Sequence, residues 1–145
     1  IENLRSVILM RDPRDVYVSG LNLGTSSAKD KGLWGKENNG FSRRFLATDN
    51  IELFVQKYEL GARKAEEDAP PDGLMMLKFE DLVHHYDKMT LAIDDLLELD
   101  KKRHVTPKRC FDPARSKKNT GLWKQYSKQD EIRFIESKLG KYCYD

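Results

Sequence analysis

The sequence predicts an α/β fold built on a parallel sheet. Two short, mostly apolar segments, 6–10 and 74–79, have the length and composition of buried parallel strands. An amphipathic helical pattern lies between them, and parallel strands joined by a helical crossover form a right-handed α/β unit. At 145 residues, of which 39% are hydrophobic, the chain is the size of one domain with its own core.

The first strand leads directly into a helix start. Asp12 is a typical N-cap, Pro13 suits the first helical position, and Asp15 places an acid in the first turn. Arg11 therefore lies at the carboxyl edge of the sheet, where ligands bind in open α/β folds, beside a helix amino terminus that favours anions. Ser19 could add a hydroxyl donor, so the segment predicts a phosphate site. The alternative is that Arg11 pairs with Asp12 or Asp15 at the surface while Ser19 faces the core.

The middle of the chain predicts a loop, a helix and the second strand. Segment 20–40 is glycine-rich and predicts a long loop. Asn50 then caps a helix whose apolar positions recur at three and four residues: Ile51, Phe54, Val55, Tyr58 and Ala62. A turn over 69–73 precedes the second strand.

Two further helices are predicted in the remainder. Asp87 is expected to cap one that ends near 99–101, with a buried stripe of Met89, Ile93, Leu96 and Leu97. Segment 106–120 is expected to be irregular. The last helix, 127–139, presents Ile132, Ile135 and Leu139 on one face, and Gly140 is expected to be its C-cap.

The charge distribution limits the partners. A net charge of +2 argues against a protein that coats nucleic acid generally. Positive charge is nevertheless concentrated in 101–124, where only Asp112 opposes it. A solvated charged face and contact with an anionic ligand are both consistent with this stretch, whose basic residues are Lys101, Lys102, Arg103, Lys108, Arg109, Arg115, Lys117, Lys118 and Lys124.

Several classes of protein find no support in the sequence. It has no apolar run long enough to span a membrane and no basic-then-apolar leader. Cys110 and Cys143 do not indicate a disulfide framework, and the three histidines lack the spacing of a zinc site, so no metal is predicted. A cytoplasmic location is favoured, and a Golgi-lumenal one stays open if a membrane anchor lies upstream.

Three segments with recognisable motifs follow one another along the chain, over 11–19, 77–82 and 116–124. Segment 11–15 (Arg-Asp-Pro-Arg-Asp) with Ser19 resembles the 3′-phosphate-binding segment of the sulfotransferases that use 3′-phosphoadenosine 5′-phosphosulfate (PAPS). Segment 77–82 (Leu-Lys-Phe-Glu-Asp-Leu) is similar to the family's strand that ends in an aromatic-Glu-Asp-Leu motif near the adenine. Segment 116–124 (Ser-Lys-Lys-Asn-Thr-Gly-Leu-Trp-Lys) resembles the late basic loop that closes over the nucleotide. Each motif is common alone, but together they span nearly the whole chain.

The chain departs from the family at several of these positions. Cytosolic members usually carry Arg-Lys-Gly before the tryptophan loop and Gly-Asp-Trp within it. Here the aligned residues are Ser-Lys-Lys over 116–118 and Gly-Leu-Trp over 121–123. Phe79 stands where a tyrosine is frequent.

The resemblance implies a three-layer α/β/α P-loop-like fold in which residues 1–145 form the carboxyl-terminal part of a single sulfotransferase domain. PAPS would be the co-substrate: Arg11, Ser19, Lys117 and Lys118 would bind its 3′-phosphate, and Phe79 would pack near the purine. The 5′-phosphosulfate loop and the catalytic base are expected upstream, so no catalytic residue is assigned here and the chain alone is expected to be inactive. The acceptor would be a hydroxyl or amine on a small molecule or a glycan, with an extracellular or capsular glycan preferred, and no nucleic acid partner is implied.

The remaining candidate residues have structural roles, and two other functions fit the sequence. Adjacent side chains at a strand end point in different directions, so Glu80 and Asp81 are expected to make structural hydrogen bonds rather than a catalytic pair. Trp123 is expected to anchor the late loop more than to contact the nucleotide. The competing functions are a P-loop kinase relative and a non-enzymatic module that binds an acidic polymer through 101–124, with strong salt dependence.

Overall fold

The structure is a computed structural model that describes residues 5–26, 50–67, 73–100 and 111–144, with side chains of the first range described through residue 22. It is a mixed α/β protein, mostly helical, with a small parallel sheet. The strands and helices are β1 (Ser6–Met10), α1 (Pro13–Ser26), α2 (Ile51–Glu67), β2 (Leu74–Lys78), α3 (Phe79–His84), α4 (Tyr86–Leu96), α5 (Pro113–Ser116) and α6 (Gln129–Leu139). Short 3₁₀ turns cover Lys117–Asn119, Leu122–Gln125 and Gly140–Tyr142.

The two predicted strands form, and they are parallel. β1 pairs with β2 in register from Ser6 opposite Leu74 to Met10 opposite Lys78. Their burial is lower than expected, since Leu77 is buried but Leu9 is 51% exposed. Within the described residues the sheet has two strands, which leave part of its surface uncovered. It is thus smaller than the sheet of a three-layer α/β/α domain.

The core lies where α1, α2 and α6 pack together. Phe54 on α2 meets Tyr17 on α1 with ring centroids 5.1 Å apart. The apolar positions of α2 and α6 are spaced by three or four residues, so each helix turns one face inward. This confirms both predicted faces: Phe54, Val55, Tyr58 and Ala62 on α2 and Ile132, Ile135 and Leu139 on α6 are buried, and Ile51, also predicted on α2, is half-buried against them.

The predicted cap of α2 is also confirmed. The Asn50 side-chain oxygen accepts the backbone N–H of Leu53 at 2.9 Å, which satisfies one of the unpaired donors of the first turn.

The boundary of α1 differs from the prediction. The helix continues to Ser26, through residues expected to begin a loop. Gly20 is buried within it, and packing outweighs the low helix propensity of glycine. Residues 27–49, which include the rest of the predicted loop, lie outside the described part of the chain.

The starts of α3 and α4 correct two further predictions. β2 ends at Lys78 and Phe79 is already helical, one residue earlier than expected. α4 begins at Tyr86 after His85, so Asp87 lies in the first turn and is not the cap. No residue of α4 is fully buried, so its predicted stripe is only half-buried.

The carboxyl-terminal part is more regular than predicted. Asp112 caps α5, and its carboxylate accepts the backbone N–H of Ala114 at 2.9 Å, so the expected irregular segment is helical from Pro113 to Asn119. Gly140 ends α6 with a φ of −52°, not in the left-handed conformation of the predicted cap, because the chain continues into a 3₁₀ turn. Residues 101–110 lie outside the described ranges.

Candidate functional site

Arg11 and Phe79 meet at the carboxyl edge of the sheet. Because Met10 pairs with Lys78, the residues that follow the two strands are neighbours. The Arg11 guanidinium carbon lies 5.4 Å from the centroid of the Phe79 ring. Phe79 in turn makes a T-shaped contact with Phe111, and Phe111 stacks with Tyr86, with centroids 6.1 and 6.0 Å apart. Two of the predicted site residues, Arg11 and Phe79, are thus adjacent, and Phe79 is one of three aromatic side chains in contact.

The late basic segment reaches the same edge. Arg11 Nη2 donates a hydrogen bond to the backbone carbonyl of Asn119, the last residue of a turn that also contains the exposed Lys117 and Lys118. The Tyr58 hydroxyl donates to the Arg11 carbonyl at 2.6 Å and fixes the backbone from the core side. Four of the five predicted site residues are therefore grouped here.

Part of the Arg11 guanidinium is unsatisfied. Its Nε is buried and has no hydrogen-bond partner among the residues that the structure describes. A buried donor without an acceptor is unfavourable by about 1–3 kcal/mol, so this side chain has capacity for a further acceptor.

Ser19, the fifth predicted residue, lies on α1. It is half-buried and stands one turn beyond Asp15 on the same face of the helix. A contribution of its hydroxyl to an anion held by Arg11 stays a prediction.

Asp15 ties α1 to the late segment. Its carboxylate is almost fully buried and accepts the backbone N–H of Gly121 at 2.7 Å and that of Trp123 at 3.2 Å. Burial raises the pKa of Asp15, although the two N–H groups and the positive charge of Arg11 act in the opposite direction. Gly121 has a φ of 74°, a left-handed conformation that favours glycine.

Arg14 is buried in a network of hydrogen bonds and ring stacking. Its guanidinium donates to Asp12 Oδ2 at 2.6 Å, to Glu136 Oε1 at 2.6 Å and to the carbonyl of Tyr144 at 2.7 Å, and it stacks 3.9 Å from the centroid of Trp123. Burial alone lowers the pKa of Arg14, but the hydrogen bonds to the two carboxylates outweigh it and raise that pKa. The stacking and the backbone bond to Asp15 give Trp123 the anchoring position that the sequence predicts.

Glu80 and Asp81 make separate structural contacts, as the sequence predicts. Glu80 Oε1 accepts the backbone N–H of Asp12 at 3.0 Å, whereas Asp81 Oδ1 accepts the Tyr144 hydroxyl at 2.9 Å. Glu80 Oε2 is buried without a hydrogen-bond partner in the described ranges. Burial raises the pKa of Glu80, and the nearby carboxylates of Asp12 and Asp15 add to the rise.

The alternative in which Arg11 pairs with Asp12 or Asp15 at the surface is not observed. Asp12 pairs with Arg14, and Asp15 accepts the backbone N–H of Gly121, so each acid has a partner other than Arg11. The sequence did not reveal that Asn119 receives Arg11 or that Asp15 receives the late segment. The sequence contains both halves of the Asp15 contact, an acid in the first turn of α1 and a Gly-x-Trp string. Local patterns do not connect them, because they lie more than a hundred residues apart.

Within the described ranges no group of three or more His, Cys, Asp or Glu side chains is placed to bind a metal ion. Nor does that part of the chain contain a helix with the length and apolarity needed to cross a membrane. Cys143 is buried and Cys110 lies outside the described residues.

No family model, curated protein or solved structure matches this chain. The fold itself defines only a general class, that of mostly helical α/β proteins with a small parallel sheet.

Proposed function

We propose that this chain provides the 3′-phosphate and adenine side of a PAPS-dependent sulfotransferase with a three-layer α/β/α, P-loop-like architecture. The observation that carries the proposal is the position of Arg11. Its guanidinium contacts the Phe79 ring and the carbonyl of Asn119, which ends the turn that contains Lys117 and Lys118. A cation next to an aromatic surface and a basic turn suits a purine nucleotide that carries an additional phosphate.

The donor set fits a phosphate. A guanidinium has five N–H donors in a planar fork, and the Nε of Arg11, which has no partner in the described part of the chain, could donate to an anionic acceptor after a side-chain rotation. Lys117 and Lys118 are exposed and add positive charge from the late turn. Ser19 would supply a neutral donor from α1.

The aromatic group fits the purine. Phe79 borders Arg11, and its contact with Phe111 extends the surface toward Tyr86. Stacking of a base on an aromatic side chain contributes about 1–3 kcal/mol. Because Phe79 carries no hydroxyl, its contact with adenine would be packing alone.

In the proposed reaction, the bond between sulfur and the bridging phosphate oxygen breaks as a bond to the acceptor oxygen or nitrogen forms. The acceptor proton passes to a base, and adenosine 3′,5′-bisphosphate leaves. The part assigned to Arg11, Ser19, Lys117, Lys118 and Phe79 is to bind and orient the nucleotide, which reduces the entropic barrier to in-line transfer. The proposed acceptor is a hydroxyl or amine, with carbohydrate as the favoured class.

The test is calorimetric titration of the protein with adenosine 3′,5′-bisphosphate and, separately, adenosine 5′-monophosphate. The native protein is expected to prefer the bisphosphate. Arg11→Ala should weaken bisphosphate binding by about 2 kcal/mol or more, roughly 30-fold, because a charged hydrogen-bonding partner is lost. The monophosphate affinity should change much less.

Arg133→Ala is the matched control, since Arg133 is exposed on α6 and pairs locally with Asp130. It should leave both affinities unchanged. A folded Arg11→Ala protein with native bisphosphate affinity would refute the assignment of Arg11.

A second candidate function is binding of an acidic polymer. It is favoured by the exposure of Arg115, Lys117, Lys118 and Lys124 along one short segment. This function predicts binding to heparin that falls steeply with salt and no preference between the two nucleotides.

A further inference from the structure

The segment that follows Lys117 and Lys118, and whose Asn119 carbonyl accepts a hydrogen bond from Arg11, is fixed by α1. Asp15 accepts backbone N–H groups on both sides of Leu122, at Gly121 and Trp123. An acid at the third position of a helix ordinarily serves its own helix, by capping or by opposing the dipole. Here the carboxylate is 1% exposed, and both of its oxygens are directed to residues more than a hundred positions away.

Two neighbouring contacts also fix the position of this segment. Arg14 stacks on the Trp123 ring, and Arg11 donates to the Asn119 carbonyl. From one short stretch of chain, Arg11 therefore holds the carbonyl at 119, Asp15 holds the backbone at 121 and 123, and Arg14 packs on the ring at 123. The position of the two lysines depends on this attachment, because they immediately precede Asn119.

The backbone at Gly121 has a conformation that matches its role. Its φ of 74° lies in the left-handed region, and its N–H points to Asp15. A Cβ at this position would have ordinary van der Waals room, with Lys124 Cδ nearest at 3.7 Å. The requirement for glycine therefore comes from the backbone angle and not from crowding.

We propose that Asp15 is a positioning residue of the anion site, which holds segment 119–123 so that Lys117 and Lys118 stand beside Arg11. This inference rests on the proposed function. It adds that selectivity for the 3′-phosphate depends on a buried acid that does not touch the ligand.

The test uses Asp15→Asn in the full chain, in a Trp34→Phe background so that tryptophan fluorescence reports on Trp123. The amide keeps the size of the side chain but places a donor where one acceptor stood. Bisphosphate affinity should fall by about tenfold while monophosphate affinity is retained, because the loss of a charge-assisted hydrogen bond moves the loop and not the aromatic surface. Hydrogen exchange at the Gly121 and Trp123 amides should quicken in the absence of ligand, and Trp123 emission should shift to longer wavelength.

Asp130→Asn is the control for charge and residue type, since Asp130 is exposed in the first turn of α6. Gly121→Val provides a second variant that leaves the buried acid in place and strains the loop through a β-branched residue at positive φ. It should give the same selective loss of bisphosphate affinity.

The outcomes separate the two proposals. Retained bisphosphate preference in folded Asp15→Asn and Gly121→Val proteins overturns the positioning role and leaves the phosphate site standing. Native exchange rates at the two amides in Asp15→Asn also overturn it. A native protein that does not distinguish the two nucleotides overturns the proposed function, and with it the role of Asp15 in that site.

Discussion

Two arginines three residues apart occupy contrasting surroundings. Arg14 is 4% exposed and is surrounded by two carboxylates, a carbonyl and an indole ring. Arg11 is half-buried, donates to one loop carbonyl and has a buried Nε without a partner in the described ranges. The contrast shows that the same side chain can complete a structural network or retain unused hydrogen-bonding capacity.

The acids on this edge differ in the same way. Asp12 accepts hydrogen bonds from Arg14 and from the backbone of Tyr144, whereas Glu80 has one oxygen bonded to the Asp12 N–H and the other without a partner among the described residues. The satisfied pair joins α1 to the end of the described chain. The unsatisfied groups, Arg11 and Glu80, flank the strand ends.

The largest effect is expected at the satisfied arginine. Arg14→Met should destabilise the protein by about 3–5 kcal/mol, because Asp12 would keep a buried charge without its partner. Urea unfolding measures this. Arg133→Met, at an exposed site, should change the free energy of unfolding by less than about 1 kcal/mol, and equal losses in the two variants would remove the distinction.

A smaller effect is expected at the unsatisfied acid. Glu80→Gln should change stability at pH 7 by no more than about 1 kcal/mol, because the side-chain oxygen still accepts the Asp12 N–H. The pKa of Glu80 is raised in the folded protein, so its favourable contribution is greatest below the ordinary glutamate value of about 4.3. The stability of the native protein relative to Glu80→Gln should therefore fall as the pH rises through the folded pKa.

Urea midpoints of both proteins between pH 4 and pH 8 measure that difference. If the native protein instead gains stability relative to Glu80→Gln as the pH rises, the pKa of Glu80 is not raised in the folded protein.

The smallest effect is expected at Ser19. Ser19→Ala should weaken bisphosphate binding by about 0.5–1 kcal/mol, as for one neutral hydrogen bond, and leave monophosphate binding unchanged. Calorimetry measures both, with Ser137→Ala on α6 as the control. Equal weakening of binding for the two nucleotides would contradict a hydrogen bond between Ser19 and the 3′-phosphate.

The sequence by itself determined the local elements with strong periodicity or capping signals. The buried faces of α2 and α6 followed from apolar spacing, and the start of α1 followed from Asp12 and Pro13. Local patterns were insufficient for the end of α1, since the burial of Gly20 depends on packing. They also failed at Gly140, where the chain continues into a turn instead of forming a left-handed cap.

Only the tertiary structure decided which charged groups pair. The alternative to a phosphate site was that Arg11 pairs with its sequence neighbours Asp12 or Asp15, yet Asp12 pairs with Arg14 and Asp15 with the Gly121 and Trp123 amides. Buried carboxylates must find donors wherever folding brings them, and the donors of Asp15 lie far along the chain. The sequence therefore indicated the residues of the candidate site, while long-range packing selected the contacts among them.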